Sequence, residues 1–187
     1  MGWYYPTGTL PTGSNYKTFY SFSSTNFVYQ VFFGQVASGK AECYIATNTT
    51  TSDLLSTAAM TTDVWVGFAA VYSATAQTVT CYIRSGNHGL LTRVGIATGI
   101  NFSAATFGLE LIGTDETAFS TTNLAAGYHR SWQRALTTDE LKVEFRKESA
   151  SLQTNLFMDT PLRSTHNLID ESDVYSGGHN WTLIPNG

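Results

Sequence analysis

Residue types able to do chemistry are sparse in this chain, which carries 14 acidic residues, 10 basic ones and four histidines among 187. Hydrolysis of a glycosidic bond needs two carboxyls flanking a cleft at a defined separation. Glu110 stands alone on a predicted strand, while Asp170, Glu171 and Asp173 cluster in a predicted loop, so no strand carries alternating carboxylates. The histidines are scattered, and no serine sits in a nucleophile elbow. The chain is therefore expected not to be an enzyme, with glycoside hydrolysis as the remote alternative.

Binding chemistry has more candidates. Asp170 and Asp173 offer hard oxygen ligands for a structural Ca²⁺, and Asp115 with Glu116 offers a second such loop. The competing role for these carboxylates is turn capping, and no other cofactor is expected. A sugar presents an apolar C–H face fringed by hydroxyls, so an exposed ring beside an amide or carboxylate is the minimal glycan site. Asn87 and His88 on the Gly86–Gly89 turn are candidates, as are Tyr175, His179 and Asn180 on a long C-terminal loop. Each could equally form a turn or pack beneath a loop. Trp65, Trp132 and Trp181 lie in strand-like stretches and are expected in the core. Arg134 reads as a structural ion-pair partner.

The elements that position these residues read as β-structure. Charged residues are only 13% of the chain, about half the usual share. Threonine, at 28 residues, with 10 Tyr and 11 Phe, supplies β-preferring bulk. The net charge of −4 provides no basic stripe for nucleic acid. No apolar run is long enough to insert into a membrane as a helix. Strands are predicted near 17–23, 26–36, 41–47, 64–72, 77–84, 90–97, 106–113, 124–133, 154–158 and 180–184. Asn48–Met60 reads as a polar loop with room for a turn of helix over Ser52–Ala59.

Residues 1–16 read as an extended N-terminal arm ahead of a single domain spanning 17–187. Trp3, Tyr4 and Tyr5 concentrate aromatics there, which suits docking onto a partner protein or completing an edge of the chain's own sheet. Cys43 and Cys81 occupy matching Cys-Tyr-Ile frames. If 64–72 pairs between those two strands, the cysteines stand about 10 Å apart. That exceeds disulfide reach, so both are expected as reduced core residues.

One helix stands out. Thr137 and Glu140 form an S/T-x-x-E capping box, and Leu141 and Phe145 follow on one face, predicting a helix over 138–148. The stretch Trp132–Leu141, WQRALTTDEL, resembles the W-N-R-A-L-[ST]-x-x-E-[IL] signature of laminin-G-like, concanavalin A-like jelly rolls. Val64–Tyr72 with Val79–Ile83 resembles that family's central hairpin, with Gly67 or Phe68 at the usual histidine and Arg84-Ser85-Gly86 replacing an Asp-Gly turn. Asp170, Gly177, Asn180 and Trp181 resemble its return strand.

The resemblance implies an all-β jelly-roll sandwich of two antiparallel sheets with one short helix. The N-terminal residues lack a basic and apolar leader. The expected function is a non-catalytic structural or decoration module of a phage virion, made in the host cytoplasm and displayed on the particle surface. It would dock to capsid, neck or tail proteins or to itself, and could adhere to cell-surface glycans. The alternative is a secreted or cell-surface lectin-like domain.

Overall fold

In Lys40–Ala46 and Thr78–Ser85 every second residue is apolar: Ala41, Cys43 and Ile45, then Val79, Cys81 and Ile83. That period of two turns one strand face into core. The computed structural model describes residues 1–6, 16–24, 26, 28–61, 63–86, 89–112, 124–147 and 150–161. In chain order its strands are β1 (Gly2–Pro6), β2 (Tyr16–Ser24), β3 (Gln30–Val36), β4 (Lys40–Ala46), β5 (Thr51–Ala59) and β6 (Val66–Ser73). There follow β7 (Thr78–Ser85), β8 (Leu91–Thr98), β9 (Phe107–Ile112), β10 (Leu124–Trp132), helix α1 (Thr138–Glu144) and β11 (Leu156–Pro161).

Two antiparallel sheets result, ordered β5-β4-β3-β2-β9 and β11-β10-β1-β6-β7-β8. The core between them is built by Tyr4, Phe19, Phe33, Ile45, Phe68 and Val79 with their neighbours. This is the jelly-roll sandwich that the helix signature implies.

A second apolar cluster lies on the other face of the six-stranded sheet. There Leu136, Leu141 and Phe145 pack on Trp3, Ala69 and Tyr128. The capping box closes as its residues predict: Thr137 Oγ1 accepts from Glu140 N at 3.2 Å, and Glu140 Oε2 accepts from Thr137 N at 2.7 Å. Phe145 caps the C-terminus, so the helix is shorter than 138–148. Arg134 forks onto Glu140 with contacts of 2.7 and 3.0 Å, the ion-pair role expected of it. That pairing, with the backbone contact at Thr137, holds the Glu140 carboxyl down at about 2.

Three expectations are corrected. The first concerns Trp3, Tyr4 and Tyr5: of the two roles open to them, they take the one in the chain's own sheet, inside it and not at its edge. Strand β1 lies inside the six-stranded sheet, with Gly2 opposite His129 on one side and Phe68 on the other. Trp3 points toward α1 and Tyr4 into the core, at 7% and 1% exposure. Tyr5 meets the Trp65 ring at 5.6 Å. A strand covered on both faces must be apolar on both, which is what an unbroken aromatic run supplies.

The second is Asn48–Met60, whose residues Thr51–Ala59 form the nine-residue strand β5 rather than a loop or helical turn. Its Thr and Ser residues suit an edge strand whose outer face meets water. The third is the cysteines. Strand β6 pairs with β1 and β7, not with β4. Cys43 and Cys81 therefore stand in opposite sheets and face each other across the core as a disulfide, with Cα atoms 6.6 Å apart. The strand predicted at 180–184 lies outside the described residues.

Candidate functional site

Alternation sends one set of side chains on β2–β5 into the core and leaves the other on the outer face of the five-stranded sheet. Register pairs Ser21 with Phe32, Ser23 with Gln30, Phe32 with Tyr44, and Tyr44 with Asp53 bring that second set together. The Phe32 and Tyr44 rings meet edge to face at 6.2 Å. Gln30 Nε2 donates to Ser21 Oγ at 3.3 Å.

Glu42 sits among them, two residues before Tyr44 and opposite Gly34 on β3. It is 7% exposed. Burial pushes its carboxyl up to about 7, and the negative charge of Asp53 adds to the effect. The cause is local. Gly34 has no side chain, and the Phe32 ring lies over it, 2.9 Å from where a Cβ would stand. An aromatic ring thus lies beside the acid. Among the described residues, Glu42 Oε2 and Ser23 Oγ are buried without a hydrogen-bond partner. Such oxygens cost free energy until something hydrogen-bonds to them. Toward β5 the face opens: Tyr44 is half-buried and Asp53 exposed.

Rings, an amide, hydroxyls and two carboxyls thus share one sheet face, on which Ser21, Ser23, Gln30, Phe32 and Glu42 are buried while Tyr44 and Asp53 reach solvent. Sequence alone does not bring Glu42 and Asp53 together, because Asp53 falls in the Asn48–Met60 stretch that reads as a loop. The alternating Thr51–Ala59 pattern was the signal that could have placed it opposite β4.

A second polar cluster is structural. Arg130 is fully buried, and its guanidinium lies 3.8 Å over the Tyr128 ring. It donates to Asp159 Oδ1 at 2.8 Å, to the Glu144 carbonyl at 3.0 Å and to the Lys147 carbonyl at 3.0 Å. Burial pushes the Tyr128 hydroxyl up to about 12, so it stays neutral while it accepts from Trp3 Nε1 and donates to the Glu144 carbonyl. These bonds tie α1 to the sheet.

Of the binding residues expected from sequence, Asn87, His88, Asp170, Asp173, Tyr175, His179 and Asn180 lie outside the described residues, as do Asp115, Glu116 and Trp181. Glu110 lies on β9, its backbone opposite Phe22. Trp65 and Trp132 are half-buried against the cluster under α1. Among the described residues, no three His, Cys, Asp or Glu side chains come together to hold a metal ion.

No family model matches the chain, and no curated protein matches it in sequence. Its fold is similar to that of the native heptameric SAP-like pentraxin from Limulus polyphemus, with a TM-score of 0.50 at 13% identity over 78% of this chain and 67% of that one. The two antiparallel sheets, with one short helix among the described residues, make a concanavalin A-like jelly roll.

Proposed function

We propose that this chain is a non-catalytic carbohydrate-binding sandwich that recognises glycans through the outer face of its five-stranded sheet. The observation that carries this is the half-buried Tyr44 ring opposite the exposed Asp53 carboxylate on that face. Asp53 can accept from sugar hydroxyls while the Tyr44 ring covers a C–H face. Binding is preferred to hydrolysis because Asp53 is exposed on an edge strand while Glu42, the other carboxyl of the face, is buried, so the two do not flank an open cleft. The Cys43–Cys81 disulfide favours work in an oxidising, extracellular setting. A decoration role on a virus particle stays a sequence-based alternative, with no feature of the fold in its favour.

A glycan array, run in calcium and again with a chelator, tests the proposal. Selective binding that weakens about tenfold or more in Tyr44→Ala and in Asp53→Asn supports the site. Binding lost on chelation would assign the contact to a calcium site instead. Silence from a folded sample, or binding that neither substitution changes, overturns it.

A further inference from the structure

Asparagine is common in turns because its side chain bonds to nearby backbone and because it tolerates a positive φ. Among the described residues are four asparagines, Asn26, Asn48, Asn101 and Asn155. Two of them have such work. Asn26 Oδ1 accepts from Ser24 Oγ at 2.7 Å and from Val28 N at 3.4 Å. Asn155 holds a φ of 56° just ahead of β11. Asn48 has neither role. The turn from β4 to β5 is closed by Thr47, whose nitrogen donates to the Thr50 carbonyl at 2.8 Å and whose Oγ1 accepts from Thr50 N at 3.0 Å. Asn48 is exposed on that turn, takes no positive φ, and its side chain makes no hydrogen bond among the described residues.

Asn101 follows the fully buried Ile100 and precedes Phe102, whose ring packs on Tyr29 at 6.3 Å and on Tyr72 at 5.0 Å. Anchored on both sides, Asn101 stays exposed. Its Oδ1 accepts from Ser103 N at 2.9 Å, which leaves the amide nitrogen uncommitted among the described residues. Asn48 and Asn101 share more than exposure. Each opens an Asn-x-Ser/Thr triplet, Asn48-Thr49-Thr50 and Asn101-Phe102-Ser103, with no proline in the middle. That triplet is what N-glycosylation reads, recognising the hydroxyl two residues after the amide. Asn26 and Asn155 open no such triplet, while a third, Asn180-Trp181-Thr182, lies outside the described residues. Ala46 pairs with Gln30, and the neighbouring Tyr29 meets Phe102, so both exposed triplets lie at one end of the sandwich.

We propose that Asn48 and Asn101 are N-glycosylation sites, which places two covalent glycans at that end. In the transfer, the asparagine Nδ2 attacks the anomeric carbon of an oligosaccharide carried on a lipid diphosphate. A C–N bond forms and the C–O bond to the diphosphate breaks. The lipid diphosphate leaves with that electron pair, and Nδ2 gives up one proton. The donor and its transferase work where secreted chains are oxidised, and the Cys43–Cys81 disulfide points to the same setting. The sites need that compartment and are independent of the proposed glycan-binding face.

Peptide mass spectrometry of the full chain, directed into the secretory pathway of a eukaryotic cell, reads each site separately from Asn180. An oligosaccharide is expected on Asn48 and on Asn101 of the disulfide-bonded product, and a peptide N-glycosidase should remove both. Thr50→Ala should abolish the first modification and leave the second, and Ser103→Ala the reverse. Both variants keep the turns intact, because the bonds there use the backbone of Thr50 and Ser103 and not their hydroxyls. An unmodified asparagine at either position would overturn the proposal. So would a glycan that persists in the matching alanine variant, or a glycosylated chain that fails to form the Cys43–Cys81 bond.

Discussion

Arg130 and Glu144 meet twice: one guanidinium nitrogen reaches the Glu144 main-chain carbonyl at 3.0 Å and its carboxylate at 3.4 Å, with both side chains fully buried. The same carboxylate accepts from the backbone of Ser151 and Leu152 and from the Ser151 hydroxyl. One residue at the end of α1 therefore joins the helix, the 150–152 turn and β10.

Arg130→Met should cost about 3–5 kcal/mol, because it leaves Glu144 as a buried charge without its cation. Urea denaturation measures this. The double variant Arg130→Met with Glu144→Gln should recover part of the loss. A double variant no more stable than the single one would show that the cost comes from Tyr128 and Asp159 instead.

The Cys43–Cys81 bond closes a separation of 38 residues and joins β4 to β7 across the core. In the chain-entropy account a loop of that length contributes about 4 kcal/mol. Thermal unfolding with and without reductant, and of Cys43→Ala with Cys81→Ala, should show a lower Tm in both comparisons. An unchanged Tm would mean that the sandwich does not rely on the staple.

Glu42 carries a pH dependence of opposite sign to a paired carboxylate. Its folded value of about 7 lies above the ordinary 4.5. The folded state therefore holds the proton more tightly than the unfolded chain. Its favourable contribution is complete below about 4.5 and is lost as pH rises through about 7. Glu42→Gln should flatten the stability profile across that window and make the protein more stable than wild type at pH 8. Chemical denaturation at pH 5, 6, 7 and 8 checks the slope; an equally steep fall in the variant would assign the dependence elsewhere.

Local pattern was enough for much of the fold. Thr137, Glu140, Leu141 and Phe145 define α1 because capping and an i, i+4 face depend on residues within one turn. Alternation at Ala41–Ile45 and Val79–Ile83 reveals two core-facing strands because side-chain direction repeats every two residues. Neither pattern says which strand lies beside which. Whether Cys43 and Cys81 share a sheet or face each other across two depends on where β6 pairs, and strand order is a long-range property. Whether Trp3 and Tyr4 dock outward or lie between β10 and β6 depends on residues more than sixty positions away. The candidate site shows the same division. Sequence placed sugar chemistry on loops, where exposed polar residues are visible one at a time. The Glu42–Tyr44–Asp53 face exists only once β5 has paired with β4. Residue type and spacing determine which side of a strand is apolar; only tertiary pairing decides which buried polar atoms are left without a partner.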